Sequence, residues 1–194
     1  MDALAFFLLQ YSAAHAGMTE QLLDGLTEEQ LRCRPHGMNS IAWQFWHMAR
    51  CEDVGVNRMV IDGSQVFDDE GWERRLRVSR RDIGTGMTDD EVTELSCRVD
   101  LVALREYWGA VYHRTLAVLG ELRSADLETR LPAAEIARRC DAEGLLGEHA
   151  GWVVLMWAGK PNRGWFLLQL ALVHHHGHLY QAAVTRGCLG ASLR

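Results

Sequence analysis

The chain has 194 residues, 48% of them hydrophobic and 24% charged, a size and composition typical of one globular domain and not of a disordered protein. Its net charge of −6 argues against a nucleic-acid-binding surface, and no apolar run reaches the roughly 18 residues that a membrane span needs. With no signal-peptide pattern and five widely spaced cysteines, the sequence predicts one domain over residues 1–194 of a cytoplasmic protein, with neither nucleic acid nor membrane as a partner.

The N-terminal third of the chain predicts two long helices. Apolar residues at spacings of three and four indicate a first helix over about Asp2–Gly25. Thr27–Gln30 has the pattern of a capping box and opens a short helical turn. A loop follows, with Asn39 or Ser40 as N-cap, and the second long helix then runs to about Ile61.

A long polar excursion separates the second helix from the third. Residues 62–86 are rich in glycine and charge, with a short helix predicted around Gly71–Arg77. A second capping box at Thr88–Glu91 opens a helical segment. This segment restarts near Asp100 as the third long helix, whose apolar stripe extends to about Leu122.

The C-terminal part ends in a fourth long helix. A short helix at Ala133–Arg139 and a glycine-punctuated, partly apolar segment at Gly144–Lys160 come first. Pro161 marks the start of the last helix, which runs to about Arg186 with Gly187 as its C-terminal stop. The sequence therefore predicts an all-α fold, a four-helix bundle with extra short helices and a long excursion between helices two and three.

Four histidines lie close together on the last predicted helix: His174, His175, His176 and His178. Because His174 and His178 are four residues apart, a helix places their imidazoles on one face. His47 lies among apolar residues of the second helix and is the candidate third ligand. Three histidines and an open fourth position are the ligand set of catalytic zinc, so we predict a divalent transition metal, with zinc preferred and nickel or iron(II) as alternatives.

The alternative interpretation has His175 and His176 facing solvent, with His174 and His178 as ordinary polar residues of the helix. Neither His175 nor His176 has a histidine or carboxylate four residues away, so we expect neither to bind the metal. The residue after His174 is His175, where a zincin-type peptidase carries its glutamate base, which argues against that chemistry.

These two segments resemble the DinB-like (DinB/YfiT) superfamily. Its second helix carries a metal-binding histidine in a Ser-x-x-W-x-x-W-H-x-A-x-x-E-D stretch, as Ser40–Asp53 does here. Its last helix carries H-x-x-x-H-x-G-Q, which aligns with His174–Gln181, although Tyr180 replaces the glycine. The resemblance implies one DinB/YfiT-like helical domain with three metal ligands: His47, His174 and His178.

The resemblance also implies a class of reaction. Characterised relatives are metal-dependent transferases or isomerases that use low-molecular-weight thiols such as bacillithiol or mycothiol, and dimers are common. We therefore expect a homodimeric thiol S-transferase, or a related hydrolase, acting on such a thiol and an electrophilic small molecule, with activity falling below roughly pH 6. The alternative is a non-catalytic metal- or small-molecule-binding protein of the stress response, because no general base near the metal is clearly encoded.

Other polar residues of these helices have two interpretations each. Glu52 and Asp53 are candidates for hydrogen bonds to metal-bound imidazoles, although Arg50 and Asp53 are expected to be solvated. His113 is either a proton shuttle or a satisfied structural histidine, with the structural role favoured. Trp43, Trp46 and Trp108 are either core residues or residues that line a pocket, with the core favoured. If the metal keeps an open position, we expect Trp46 and Tyr180 to form its walls.

Overall fold

The computed structural model describes residues 3–69, 71–160 and 162–191, which contain helices and no strand. The first long helix consists of α1 (Ala3–Ser12), a π-helical stretch (Ala13–Met18) and α2 (Thr19–Leu23). Its predicted start at Asp2 lies outside the described residues. The capping box that precedes α3 (Glu28–Arg32) is confirmed.

The second long helix is the centre of the fold. It consists of α4 (Ile41–Asp53) and a π-helical continuation (Val54–Val60), and the side chain of Ser40 caps it by accepting a hydrogen bond from the backbone N–H of Trp43. All residues of α4 are buried, because α7 and α12 pack against it. Its polar side chains must therefore find partners inside the protein.

The excursion and the third long helix follow the predicted order. The excursion contains a 3₁₀ turn (Val66–Asp68) and α5 (Trp72–Leu76), close to the predicted short helix. The confirmed second capping box opens α6 (Asp89–Arg98), and α7 (Leu101–Glu121) is the third long helix.

The fourth long helix consists of α11 (Arg163–Leu168), a π-helical stretch (Gln169–Val173) and α12 (His174–Cys188). The predicted stop at Gly187 is wrong. The helix passes through that residue, and the left-handed glycine that follows it is Gly190, with φ of 73°.

Short helices connect the third and fourth long helices: α8 (Ser124–Leu127), α9 (Ala133–Ala142), a 3₁₀ turn (Glu148–Ala150) and α10 (Gly151–Ala158). The glycine-punctuated segment is therefore largely helical. The predicted helix start at Pro161 lies outside the described residues, and Asn162 is the N-cap of α11. None of the helices among the described residues combines the length and the apolar character that crossing a membrane requires.

Arg50 and Asp53 are fully buried, so the expectation that they are solvated is wrong. Arg50 donates to Asp53 at 3.1 Å and to the hydroxyl of Tyr107 at 2.9 Å. Asp53 also accepts hydrogen bonds at 2.8 Å from the backbone N–H groups of Val66 and Phe67. The buried ion pair therefore ties the excursion to α4 and is separate from the candidate metal ligands.

Candidate metal centre

His47 is fixed in one tautomer by the excursion. Its side chain is 4% exposed, and its Nδ1 lies in a short hydrogen bond with the backbone carbonyl of Ile83. A carbonyl can only accept, so Nδ1 carries the proton and the lone pair of Nε2 is free. Such a hydrogen bond is the usual support of a metal-bound imidazole.

His174 and His178 complete a cluster of three imidazoles. The Nε2 atom of His174 lies 3.1 Å from Nε2 of His47 and 3.1 Å from Nε2 of His178. The three ligand atoms all lie within 4.8 Å of one another, as the sequence pattern predicts. Tetrahedral zinc with Zn–N bonds of about 2.0–2.1 Å holds its nitrogens roughly 3.3 Å apart, so the two 3.1 Å separations are close to the spacing of a zinc site.

The protonation states of the three histidines also favour the binding of a cation. Burial, with the neighbouring histidines, lowers the pKa of His47 to about 3 and the pKa of His174 well below its usual value. Burial lowers the pKa of His178 as well, while Gln181 opposes that shift. The three imidazoles are therefore neutral at pH 7, the form that binds metal. Three facing nitrogens cannot all be satisfied by one another's protons, whereas a cation satisfies them together.

Trp43 forms one wall of the site. Its ring stacks on His47 with centroids 4.7 Å apart and meets His178 edge-on at 6.3 Å. Trp46 is fully buried and packs against Gly84, so it is a core residue. Trp43 therefore lines the site, as one interpretation of the sequence had it, whereas the expectation that Trp46 forms a wall of the site is wrong.

His175 lies in a second polar cluster on the adjacent side of α12. It is 2% exposed, so the interpretation that it faces solvent is wrong. Its Nε2 lies 3.2 Å from the carbonyl oxygen of Met48 and 3.3 Å from a carboxyl oxygen of Glu52. The other carboxyl oxygen of Glu52 accepts from Thr115 at 2.5 Å and from Tyr11 in a shorter contact.

Glu52 is therefore no partner of the three candidate ligands. Burial raises the pKa of Glu52 to about 8 and lowers the pKa of His175 to about 4, so both groups are neutral at pH 7. His15 lies nearby between Trp108 and Tyr112, with ring centroids 4.3 and 4.0 Å away. In this second cluster Glu52 and His175 make hydrogen bonds without a metal, while Nε2 of His15 and one carboxyl oxygen of Glu52 have no hydrogen-bond partner among the described residues.

His113 is exposed on α7, so the favoured interpretation that it is a structural histidine satisfied within the fold is wrong.

Within the described part of the chain, the ligand atoms that meet at the site come from three histidines, with no carboxylate or thiolate joining them. A four-coordinate metal bound there would keep one position for water or a substrate. The site thus has the ligand set of a catalytic metal and no adjacent carboxylate to act as base.

Comparisons with known proteins agree with this architecture. A sequence model of the DinB superfamily matches residues 13–182, a range that includes all three candidate ligands. The chain is also similar to a solved structure described as the "conserved protein of locus from Enterococcus faecalis". The TM-score is 0.72 at 18% identity, and the alignment covers 98% of this chain and 99% of that one, a likeness of fold. No curated protein matches the chain.

Proposed function

The chain belongs to the DinB superfamily, and on this premise we propose that it is a cytoplasmic metal-dependent enzyme. The proposed reaction is transfer of a low-molecular-weight thiol, of the bacillithiol or mycothiol type, to an electrophilic small molecule, or a related hydrolysis. The observation that carries the proposal is the convergence of three neutral imidazole nitrogens within 4.8 Å of one another, with Nε2 of His174 3.1 Å from those of His47 and His178. Zinc is the preferred ion, with nickel and iron(II) as alternatives.

The roles of the protein residues follow from their positions. His47, His174 and His178 would hold the cation, and the carbonyl of Ile83 would keep the His47 ring in its ligating tautomer. A bound divalent cation would lower the pKa of an incoming thiol and hold it as thiolate. Trp43 would exclude water from one side of the site and offer an apolar surface to the substrate.

A non-catalytic binding protein is the second candidate, and one observation favours it. Glu52, the buried carboxyl group on the same helix as His47, contacts His175 and not the three-histidine cluster. A general base would then have to come from the substrate or from solvent. A thiol transfer needs no such base if the thiol binds as thiolate, whereas a hydrolysis does, so the transferase is the preferred reaction.

A panel of low-molecular-weight thiols tests the proposal. Each thiol is incubated with monochlorobimane and metal-loaded protein, and conjugate formation is followed by fluorescence. We expect a metal-dependent rate with at least one thiol, and loss of that rate in His47→Ala. His176→Ala is the matched control, because His176 is only partly buried and bonds within its own helix to the carbonyl of Leu172. No metal-dependent rate with any thiol would favour the binding protein.

We further propose a homodimer that uses the outer faces of the first and fourth long helices. These two helices pack side by side, and each exposes large apolar side chains: Phe6 and Leu9 on the first, Val173, Tyr180 and Val184 on the fourth. Adjacent apolar faces of this kind are typical of protein interfaces. Light scattering on the purified protein should give twice the chain mass, and Leu9→Glu should shift it to the monomer.

A further inference from the structure

A groove with a volume of about 650 Å³ opens between the first long helix and α7. Its floor is the start of α4, including Ala42 and Phe45. Because Phe45 and His47 are two residues apart, they point roughly 200° apart around the helix, and the groove lies on the side of α4 away from the metal centre. Small-molecule sites commonly have volumes of about 300–1,000 Å³.

The lining of the groove is mainly apolar. Leucines line it from the first long helix and the following turn, from α3 and from α7: Leu23, Leu26, Leu31, Leu101 and Leu104. Phe45 meets Trp108 edge-on in its wall, with ring centroids 5.1 Å apart. An occupant therefore needs an apolar body to make use of this surface.

Two buried polar atoms in the groove wall have no hydrogen-bond partner among the described residues. They are Nε1 of Trp108, whose side chain is 6% exposed, and Oγ1 of Thr19, which is 8% exposed. The indole N–H can only donate, and a hydroxyl can donate as well. The Trp108 N–H belongs to the α7 wall, where a ligand acceptor oxygen would satisfy it, whereas Thr19 belongs to the opposite wall.

Arg105 supplies a cation on the same helix as Trp108. It is exposed at the rim, one turn before Trp108 on α7, and within the described ranges no contact pairs its guanidinium with a carboxylate. Glu20 lies at the rim next to Thr19, on the first helix. An anion is therefore favoured at the α7 wall, beside Arg105, and disfavoured at the wall formed by the first helix.

We propose that this groove binds an amphipathic monocarboxylate, such as a medium-chain fatty acid or an aryl carboxylate. Its apolar body lies along the leucines and Phe45, and its carboxylate lies at Arg105, one turn of α7 from Trp108. This site is separate from the metal centre and does not depend on a bound metal.

Calorimetric titration with decanoate tests the proposal, with decanol as the uncharged ligand of the same length. We expect one saturable decanoate site per chain, unchanged when a chelator removes metal. Arg105→Gln should weaken decanoate binding roughly tenfold and leave decanol binding unchanged. The matched control is Arg130→Gln, because Arg130 is another exposed arginine and lies outside the groove lining.

A second variant, at an exposed position of the groove rim, tests the site without a change in the core. Val102 is 72% exposed at the groove rim, so Val102→Glu leaves the core intact and places a negative charge beside the proposed carboxylate. It should weaken decanoate binding and not decanol binding. The absence of saturable decanoate binding, equal weakening by Arg130→Gln, or dependence on the bound metal would each overturn the proposal. So would a dimer of the wild type that Val102→Glu dissociates, because a second copy would then occupy the groove.

Discussion

Two sides of one helix hold histidines in different chemical surroundings. His174 and His178 turn toward His47, and three nitrogens face one another with no hydrogen-bonding group between them. His175 turns toward the carbonyl of Met48, at hydrogen-bond distance, and toward the carboxyl group of Glu52 at 3.3 Å. Burial alone therefore does not identify a metal ligand. The chemistry of the facing groups decides. Imidazole lone pairs that converge need a cation between them, whereas an imidazole N–H that faces a carbonyl oxygen is satisfied by a hydrogen bond.

The largest expected effect is on the affinity of the three-histidine cluster for a divalent ion. His47→Ala would leave two imidazoles and should weaken binding of a divalent ion by roughly 100-fold or more, since even partners of metal ligands contribute about 10–100-fold. Metal content by mass spectrometry and calorimetric titration measures this. His176→Ala is the control, and retention of metal by His47→Ala would contradict the assignment.

Substitution of His175 should affect the stability of the protein and not its affinity for metal. His175→Ala leaves Glu52 without its neighbour and should lower the free energy of unfolding by about 1–3 kcal/mol, the usual effect of leaving a buried polar group unsatisfied. Metal affinity should change little, because His175 belongs to the other cluster. Urea unfolding and metal titration of the same variant check both parts. If the variant loses metal but keeps its stability, the two roles are reversed.

Substitution of Gly84, in the excursion, should lower the affinity of the site for metal. This residue has φ of 79°, and a Cβ there would lie 2.4 Å from the ring of Trp46, so Gly84→Ala must displace the loop. The neighbouring Ile83 carbonyl holds the His47 ring, and its displacement should weaken metal binding about tenfold. Gly86→Ala, also at φ of 79° but next to His149, is the comparison. Equal metal affinity in wild type and Gly84→Ala would argue against support of His47 by the loop.

The histidines of both clusters, on the one hand, and Glu52, on the other, should respond to pH in opposite ways in metal-free protein. Burial lowers the pKa of His47 to about 3 and of His175 to about 4. As pH falls below the unfolded value of about 6.5, the unfolded chain takes up protons that the folded chain does not, so stability is lost on acidification. These low values also place the acid limit of metal binding below the pH of roughly 6 expected from unperturbed histidine.

Glu52 gives the opposite and smaller slope. Its pKa is raised from 4.5 to about 8, so between these values the folded protein keeps a proton that the unfolded chain loses, and stability falls as pH rises. Glu52→Gln removes this term and should gain stability relative to wild type from pH 5 to 8. Unfolding curves across that range measure the difference, and parallel curves would show that Glu52 is already ionised at neutral pH.

The sequence was sufficient to predict the long helices and the convergence of His47, His174 and His178. Apolar periodicity and capping residues set the helix limits, and the four-residue spacing of His174 and His178 required only that the segment be helical. The π-helical stretches at Ala13–Met18, Val54–Val60 and Gln169–Val173 could not be predicted, because local sequence carries no distinct signal for the extra residue in the turn.

The sequence also did not predict which polar side chains of α4 are buried. Arg50 and Asp53 look like surface residues by type, and only packing of the excursion over α4 makes them a buried pair. The same holds for His175, whose partner Glu52 lies 123 positions earlier in the chain, on a different helix. Such contacts depend on tertiary packing between helices, which single-sequence periodicity does not contain.

The most direct test of the account is a crystal structure of the metal-loaded protein with anomalous diffraction measured at the absorption edge of the metal. The account predicts one anomalous peak per chain, bonded at about 2.0–2.1 Å to the Nε2 atoms of His47, His174 and His178, with the remaining position held by a non-protein ligand. A peak at His175 and Glu52, or no ordered metal at the three histidines, would contradict it.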